Sequence, residues 1–156
     1  MHTDFPETIA IGLLIACEEA LGELYTVYAA QDAELAPFWT GLSSEERTHA
    51  TWLRNLLKYL QQGDIRFQEN RFQPDTFRTF LHYVQSRITE ARARAIPPFA
   101  ALSIAVDIEG EMVEQCFFEV LDGDRPELRR TLTLLASATE KHRQVVKAKW
   151  EAYRPE

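Results

Sequence analysis

The chain has 156 residues, of which 46% are hydrophobic, so it is long enough to fold as one domain around its own core. Its 24 acidic residues outnumber the 17 basic ones, and the formal net charge of −7 argues against a nucleic-acid or anionic-lipid surface. The two cysteines form no C-x-x-C pair, so the composition predicts neither a disulfide framework nor a cysteine-ligated metal module, and we expect a cytosolic protein.

The first predicted helix is the most apolar one. An apolar stripe at helical spacing predicts that it opens at Asp4 or Phe5, with Pro6 in its first turn, and runs to about Gln31. Its most apolar stretch, residues 9–17, is too short to span a bilayer and leads into acidic residues rather than a cleavage site. We therefore expect a buried helix segment and no membrane partner.

The middle of the chain alternates between helical and irregular patterns. Large apolar residues at helical spacing predict a second helix from around Pro37 to Gly63. Residues 64–73, DIRFQENRFQ, carry no such stripe and predict a loop. Residues 74–89, PDTFRTFLHYVQSRIT, restore the spacing and predict an amphipathic third helix, whose apolar face suits a homodimer contact.

The last two predicted helices lie on either side of an Asp-Gly-Asp turn. Pro97 and Pro98 interrupt the helical pattern, which resumes from about Phe99 to Leu121. After the turn at 122–124, a fifth helix runs from near Pro126 to about Tyr153. Short connections within each outer pair of helices predict two antiparallel hairpins.

A long central connection separates these two hairpins. The sequence predicts a single all-α domain, residues 1–156, with halves at about 6–62 and 98–153 and a crossover at about 63–97 that carries the extra helix. A four-helix bundle with one long crossover in its middle is typical of the ferritin-like class rather than of simple up-and-down bundles.

The two halves are similar in sequence. With a shift of 93 residues, positions 11–53 set against 104–146 give ten identities in 43 without a gap. The separation of 31 residues between a Glu and a His recurs in both halves. The matched pairs that carry this separation are Glu18 with Glu111 and His49 with His142.

Helical periodicity predicts that acidic residues face the bundle interior. Glu18 shares an apolar stripe at steps of four, three and four residues with Leu14, Leu21 and Tyr25. Since a buried carboxylate without a partner costs several kcal/mol, inward acids imply either partners or a bound cation.

In the second half the same argument places Glu111 on the inward stripe, together with Asp107, Glu114 and Phe118. Asp107 and Glu109 are interpreted as acids near a helix start, where the helix dipole favours negative charge. Two hairpins with the same inward pattern would bring their acids together.

Three stretches carry a recognisable pattern: EEALGELY at 18–25, SSEERTHATWL at 43–53 and EGEMVEQCFF at 109–118. Together they resemble the rubrerythrin-type branch of the ferritin-like superfamily, over most of the chain except the crossover helix. The resemblance implies a di-iron or di-manganese centre, with one Glu from each of two helices and a Glu-x-x-His from each of the other two.

The resemblance carries over to individual residues. The metal ligands it implies are Glu18, Glu46 and His49 in the first half and Glu111 and His142 in the second. Thr139 stands three residues before His142, where the motif has Glu. Glu114, one turn beyond Glu111, is the expected substitute ligand, and Tyr25 is the expected hydrogen-bond donor next to the metal.

The implied function is binding of iron or manganese, with oxidation of ferrous iron or reduction of peroxide or dioxygen. Without a C-x-x-C iron site, electrons would come from a separate donor. The pattern assigns no catalytic residue.

Other interpretations remain open. A second interpretation is that the bundle has lost its redox chemistry and acts as a binding or scaffold module, in which Glu114 forms a salt bridge. Iron storage in a shell is less favoured, because no further helix is expected after Tyr153. For single residues, Glu46 and His49 can also be an exposed helix pair, and the polar segment around His142 can face water.

Overall fold

The computed structural model describes residues 6–60, 65–67, 74–114, 121–123 and 126–154. This part of the chain is helical apart from one short two-stranded ribbon. The helices are α1 (Pro6–Gln31), α2 (Ala36–Leu60), α3 (Pro74–Ala93), α4 (Pro98–Glu114) and α5 (Pro126–Tyr153), and the strands are β1 (Ile65–Phe67) and β2 (Leu121–Gly123).

The α1 and α2 helices run antiparallel. Their connection, residues 32–35, is held by Asp32, whose Oδ1 accepts hydrogen bonds from the backbone N–H of Glu34 (3.0 Å) and Leu35 (3.4 Å). Side chains then pair in reverse order along the two helices. The hydroxyls of Thr26 and Ser43 lie 2.8 Å apart near the connection, and Glu19 pairs with Arg54 farther from it.

The α4 and α5 helices also run antiparallel. The indole N–H of Trp150 donates to the Ser103 hydroxyl over 2.8 Å, and the Phe99 ring stacks on the Trp150 ring at a centroid distance of 5.6 Å. The beginning of α4 therefore lies beside the end of α5. The α2 and α5 helices are also in contact, which joins the two helix pairs.

The α3 helix packs along α1 in the same direction. Near its beginning, the Cys17 thiol lies 4.0 Å from the backbone oxygen of Phe77. Near its end, the Gln31 side chain donates to the backbone oxygen of Ala91 and accepts the backbone N–H of Ile96 at 2.9 Å. Gln31 thus fixes the end of α1 against the α3–α4 connection.

The apolar stripes of the helices form one core. Large side chains that are at most 2% exposed come from all five helices and from the connection after α1, among them Ile11, Leu14, Leu21, Leu24, Tyr25, Leu35, Trp39, Leu53, Leu56, Phe77, Leu102 and Leu135. Within the described residues, no helix combines the length and the apolar character needed to cross a bilayer.

Most of the predicted helices are confirmed, with two corrections. Residues 65–67, expected in a loop, form strand β1, which pairs antiparallel with β2 at 121–123. The fourth helix was expected to reach Leu121, but α4 is described only to Glu114, and Leu121 begins β2. The expected helix start at Asp4 or Phe5 and the stop at Gly63 lie outside the described residues. The single-domain division stays a prediction.

We expect Gln31→Ala to lower the free energy of unfolding by about 1–3 kcal/mol, because the backbone groups of Ala91 and Ile96 lose their side-chain partner. Urea denaturation followed by circular dichroism measures the change. The control is Gln85→Ala, since Gln85 is exposed on α3. Equal effects of the two substitutions would contradict the anchoring role of Gln31.

Candidate metal centre

Five ionisable side chains from four helices meet inside the bundle. Each of them is at most 4% exposed, although such residues are rarely buried without a partner. They are Glu18 on α1, Glu46 and His49 on α2, Glu109 on α4 and His142 on α5.

Glu46 lies at the centre of this cluster. Its Oε1 is 2.8 Å from Nδ1 of His142, and its Oε2 is 3.3 Å from Nδ1 of His49. The same His49 nitrogen is 3.7 Å from Oε2 of Glu18, and Nδ1 of His142 is 4.0 Å from Oε1 of Glu109. The two imidazole rings are 5.1 Å apart between centroids. Both histidines therefore direct their Nδ1 atoms toward the carboxylates.

Several carboxylate oxygens of the cluster have no hydrogen-bond partner within the described residues. These are both oxygens of Glu18 and Oε2 of Glu109. A buried polar atom without a partner costs on the order of 1–3 kcal/mol, and more if it is charged. These oxygens are the kind of atom that a bound cation would satisfy.

The proximity of the carboxyls changes their proton affinities. Burial raises the pKa of Glu18 well above its ordinary value, and repulsion from Glu46 raises it further. Burial and the Glu46 charge likewise raise the pKa of Glu109. Burial would also raise the pKa of Glu46, but its contacts with Glu18, His142 and His49 outweigh burial and lower it.

The His142 imidazole holds its proton tightly. Burial would lower its pKa, but the hydrogen bond with Glu46 and the charges of Glu46 and Glu109 raise it to about 9. The Glu46 carboxyl therefore loses its proton more readily than those of Glu18 and Glu109, and its carboxylate pairs with the His142 imidazolium. Such a cluster must release protons when a cation enters.

The donor atoms suit a metal ion. One ligand atom from each of Glu46, His49 and His142 lies within 4.8 Å of the others, and all three residues are buried. The cluster could hold a metal ion, and the carboxyls of Glu18 and Glu109, whose oxygens include those without partners, lie 3.7 and 4.0 Å from Nδ1 of His49 and His142, respectively. Oxygen and imidazole donors are the ligands that iron, manganese and zinc accept.

The structure brings together four of the six side chains expected from the sequence: Glu18, Glu46, His49 and His142. The expected inward direction of Glu111 is wrong, because its side chain is exposed. The interpretation of Glu109 as an acid near a helix start is also wrong, since it is fully buried and faces the cluster. Two positions along a helix turn a side chain by about 200°, so only one of these two can face inward.

The pattern of buried residues shows why the predicted shift of 93 residues between the two halves does not hold for α4. The α2 and α5 helices match at the expected shift of 93 residues, and the buried pairs are Trp39/Leu132, Leu42/Leu135, Glu46/Thr139, His49/His142 and Leu53/Val146. The α1 and α4 helices match instead at a shift of 91. Their buried pairs are Ala10/Ala101, Ile11/Leu102, Leu14/Ala105, Cys17/Ile108, Glu18/Glu109 and Leu21/Met112.

The remaining predicted residues have defined surroundings or lie outside the description. The Tyr25 hydroxyl donates to Oε1 of Glu109 over 2.7 Å, as expected for a donor beside the cluster. Thr139 is buried, and its hydroxyl donates to the backbone oxygen of Leu135 at 2.9 Å. Thr139 therefore fills the missing ligand position without offering a carboxylate. The Glu114 side chain lies outside the described part of the structure.

Sequence signals for Glu109 existed but were outweighed by identities. In an alignment with a shift of 91, apolar residues are aligned with apolar residues and Glu18 is aligned with Glu109, although few of the aligned pairs are identical. Glu45 was also not singled out. Its half-exposed carboxylate contacts Nε2 of His142.

Comparison of the chain with protein-family models, with curated proteins and with solved structures finds no match.

We expect the metal-free protein to lose stability as the pH rises from about 6 to about 9.5. Glu18, Glu109 and His142 all have pKa values raised by folding, so their contributions are present at low pH and are lost as the pH rises through the folded values. Glu46 has a lowered pKa, so its contribution to folding stability increases with pH, but this increase is complete by about pH 6. For His142 alone the loss is on the order of 3 kcal/mol.

Urea unfolding of chelator-treated protein at several pH values measures this loss. His142→Gln should flatten the pH dependence, whereas His82→Gln, at an exposed position on α3, should leave it unchanged. A stability that stays constant or increases over this pH range would contradict the assignment.

Proposed function

We propose that this chain is a ferritin-like, rubrerythrin-type metal–carboxylate protein that binds iron or manganese in its bundle core. The observation that carries the proposal is the convergence of three carboxylates and two imidazoles from four helices in an apolar interior. A surface cluster of acids would not support it, because exposed acids are solvated at little cost.

The arrangement of donors along the chain supports the ferritin-like assignment. One glutamate comes from α1 and one from α4, and a Glu-x-x-His pair comes from α2. The α5 helix supplies His142, with Thr139 at the position of the missing glutamate. Five of the six donors of a carboxylate-bridged dinuclear site are therefore available.

The two half-sites are unequal. The first consists of Glu18, Glu46 and His49, with two carboxylates and one imidazole. The second consists of Glu109 and His142, and any further donor there must be shared with Glu46 or come from solvent. We expect the first ion to bind tightly and the second weakly.

An iron or manganese ion with open coordination positions would supply one-electron chemistry toward dioxygen or peroxide. With two ferrous ions held by the Glu18, Glu46, His49, Glu109 and His142 side chains, the site would supply the two electrons that, with two protons, convert one hydrogen peroxide into two waters. The chain provides a buried, apolar-walled site and the Tyr25 hydroxyl, which holds Glu109 in place. Electrons for repeated turnover would come from a separate donor protein, and we propose a cytosolic homodimer as the working form.

One observation favours the alternative of a degenerate scaffold bundle. The Thr139 hydroxyl is satisfied by the helix backbone, and Glu46 is already shared by two histidines, so the cluster holds together without a cation. In that case the buried groups would form a structural polar network with no redox activity.

Anaerobic titration with ferrous iron, followed by metal counting, tests the proposal. We expect up to two ions per chain, one tight and one weak, and loss of the tight ion in Glu18→Gln, because the amide cannot supply an anionic oxygen. Glu19→Gln is the matched control, since Glu19 is the exposed neighbour of Glu18 and pairs with Arg54. Absence of bound metal in the wild-type protein after anaerobic titration with ferrous iron and, separately, with manganous ion would refute the metal proposal and favour the scaffold.

A gain-of-function variant tests the unequal half-sites. We expect Thr139→Glu to strengthen binding of the second ferrous ion by at least tenfold, because a carboxylate three residues before His142 completes the second Glu-x-x-His. Isothermal titration calorimetry under anaerobic conditions measures it. Thr139→Gln, with the same size and no charge, is the control for folding and volume. Equal second-ion affinity in both variants would contradict the proposed position of the second half-site.

A further inference from the structure

A cavity of about 550 Å³ lies between α3 and α4, outside the metal cluster. It lies where two helices meet that pack mainly on other partners, since α3 packs along α1 and α4 packs along α5. Residues from the first half of α3 and the second half of α4 line it. None of them is a donor in the proposed metal centre, so the cavity is a separate feature of the molecule.

The inner wall of the cavity is apolar and aromatic. Phe80 on α3 and Ile108 on α4 are 5% and 1% exposed, and both line the cavity. Tyr83 extends the wall along α3. Arg87 fixes the Tyr83 ring, because its guanidinium carbon lies 5.1 Å from the ring centroid and its Nε donates to the hydroxyl over 3.2 Å. The wall is therefore formed before a ligand arrives, which lowers the cost of binding.

The rim of the cavity is acidic. Asp107 and Glu111 lie one helical turn apart on α4, and both are exposed. Asp75 adds a third carboxylate from α3, but it pairs with Arg78 at 3.4 Å, so its charge is partly balanced. Among the described residues that line the cavity, none is a lysine, an arginine or a histidine. An acidic rim above an aromatic wall is complementary to an organic cation, since ring faces also attract positive charge.

We propose that this cavity is a binding site for a small organic cation, an amine with a flat apolar body. Asp107 and Glu111 recognise the ammonium group, and the aromatic wall contacts the body. The volume suits one such molecule, because sites for small ligands span roughly 300–1,000 Å³ and are mostly apolar with a few polar groups. Glu111, which the sequence pattern placed among the metal ligands, belongs to this second site instead.

Three probes of nearly equal size separate recognition of charge from apolar packing: phenethylamine, phenethyl alcohol and phenylacetate. Each is titrated into the nitrogen-15-labelled full chain, and amide chemical shifts are followed by NMR. We expect the amine to bind about tenfold more tightly than the alcohol, and phenylacetate to show no saturable binding. The amides that shift should lie in residues 75–83 and 107–111.

A double variant tests the role of the two carboxylates. Asp107→Asn with Glu111→Gln keeps the side-chain sizes and removes both charges, so the affinity for phenethylamine should fall about tenfold. The affinity for the alcohol should stay within about twofold. The matched control is Glu34→Gln with Glu151→Gln, which removes two exposed charges away from the cavity. Equal losses in the two double variants would overturn the proposal, because the effect would then be one of net charge.

A cavity-filling variant tests the place of binding. Thr79 is exposed on α3 and lines the cavity, so Thr79→Trp should fill it and abolish binding of both the amine and the alcohol. Thr89→Trp is the matched control, since Thr89 is exposed farther along the same helix and does not line the cavity. It should leave both affinities unchanged. Circular dichroism verifies that both variants are folded.

Two further results would overturn the proposal. The first is equal affinity of the wild-type protein for the amine and the alcohol, because the acidic rim would then recognise nothing. The second is a dimer, seen by sedimentation, that Thr79→Trp dissociates, because a second copy of the chain would then occupy the cavity. All of these measurements use the protein without added metal, so failure of the metal proposal leaves their outcome unaffected.

Discussion

The burial of three carboxyl groups and two imidazoles in one apolar core is the constraint on which the rest of this structure depends. Each group would be better solvated at the surface, and the three carboxyl groups repel one another when they are ionised. The helices around them must therefore supply enough apolar burial to hold the cluster in place. The cost is reduced because Glu46 is shared by His49 and His142, and because Tyr25 donates to Glu109.

The hydrogen bonds within the cluster do not satisfy every buried carboxylate oxygen, so part of the cost of burying these groups remains. Among the described residues of the cluster, the oxygens without a partner belong to Glu18, which lies beside His49, and to Glu109, which lies beside His142. A purely structural polar network gains most when every member is satisfied, and partly satisfied networks are worse than apolar packing. The deficit is compatible with a site that could hold a metal ion, since functional sites are where proteins accept local cost.

Sequence patterns predicted the helices well because each one carries a long apolar stripe and begins at or next to a proline. They did not predict the β1–β2 ribbon, since three-residue strands leave no detectable periodicity and depend on contacts between distant segments. Glu46 and His49 were found through a local spacing that one helix turn enforces. Glu109 was missed because the two halves were aligned by their identical residues. What the two halves share in α1 and α4 is the pattern of buried positions.

The two halves of the chain align with two different shifts, 91 residues for α1 with α4 and 93 residues for α2 with α5. Glu18 is 31 residues before His49, and Glu109 is 33 residues before His142, so the second half has two more residues between its buried glutamate and its buried histidine. The inward faces of the helices are nevertheless the same, since packing conserves which side is buried rather than the length of a connection. In the second half, Tyr25 holds Glu109 and Glu45 holds His142, so hydrogen bonds fix both remaining donors. In the first half, Glu18 has no such partner among the described residues. In the second half both inward groups are thus held by hydrogen bonds from outside their pair, whereas in the first half Glu46 and His49 are held by each other.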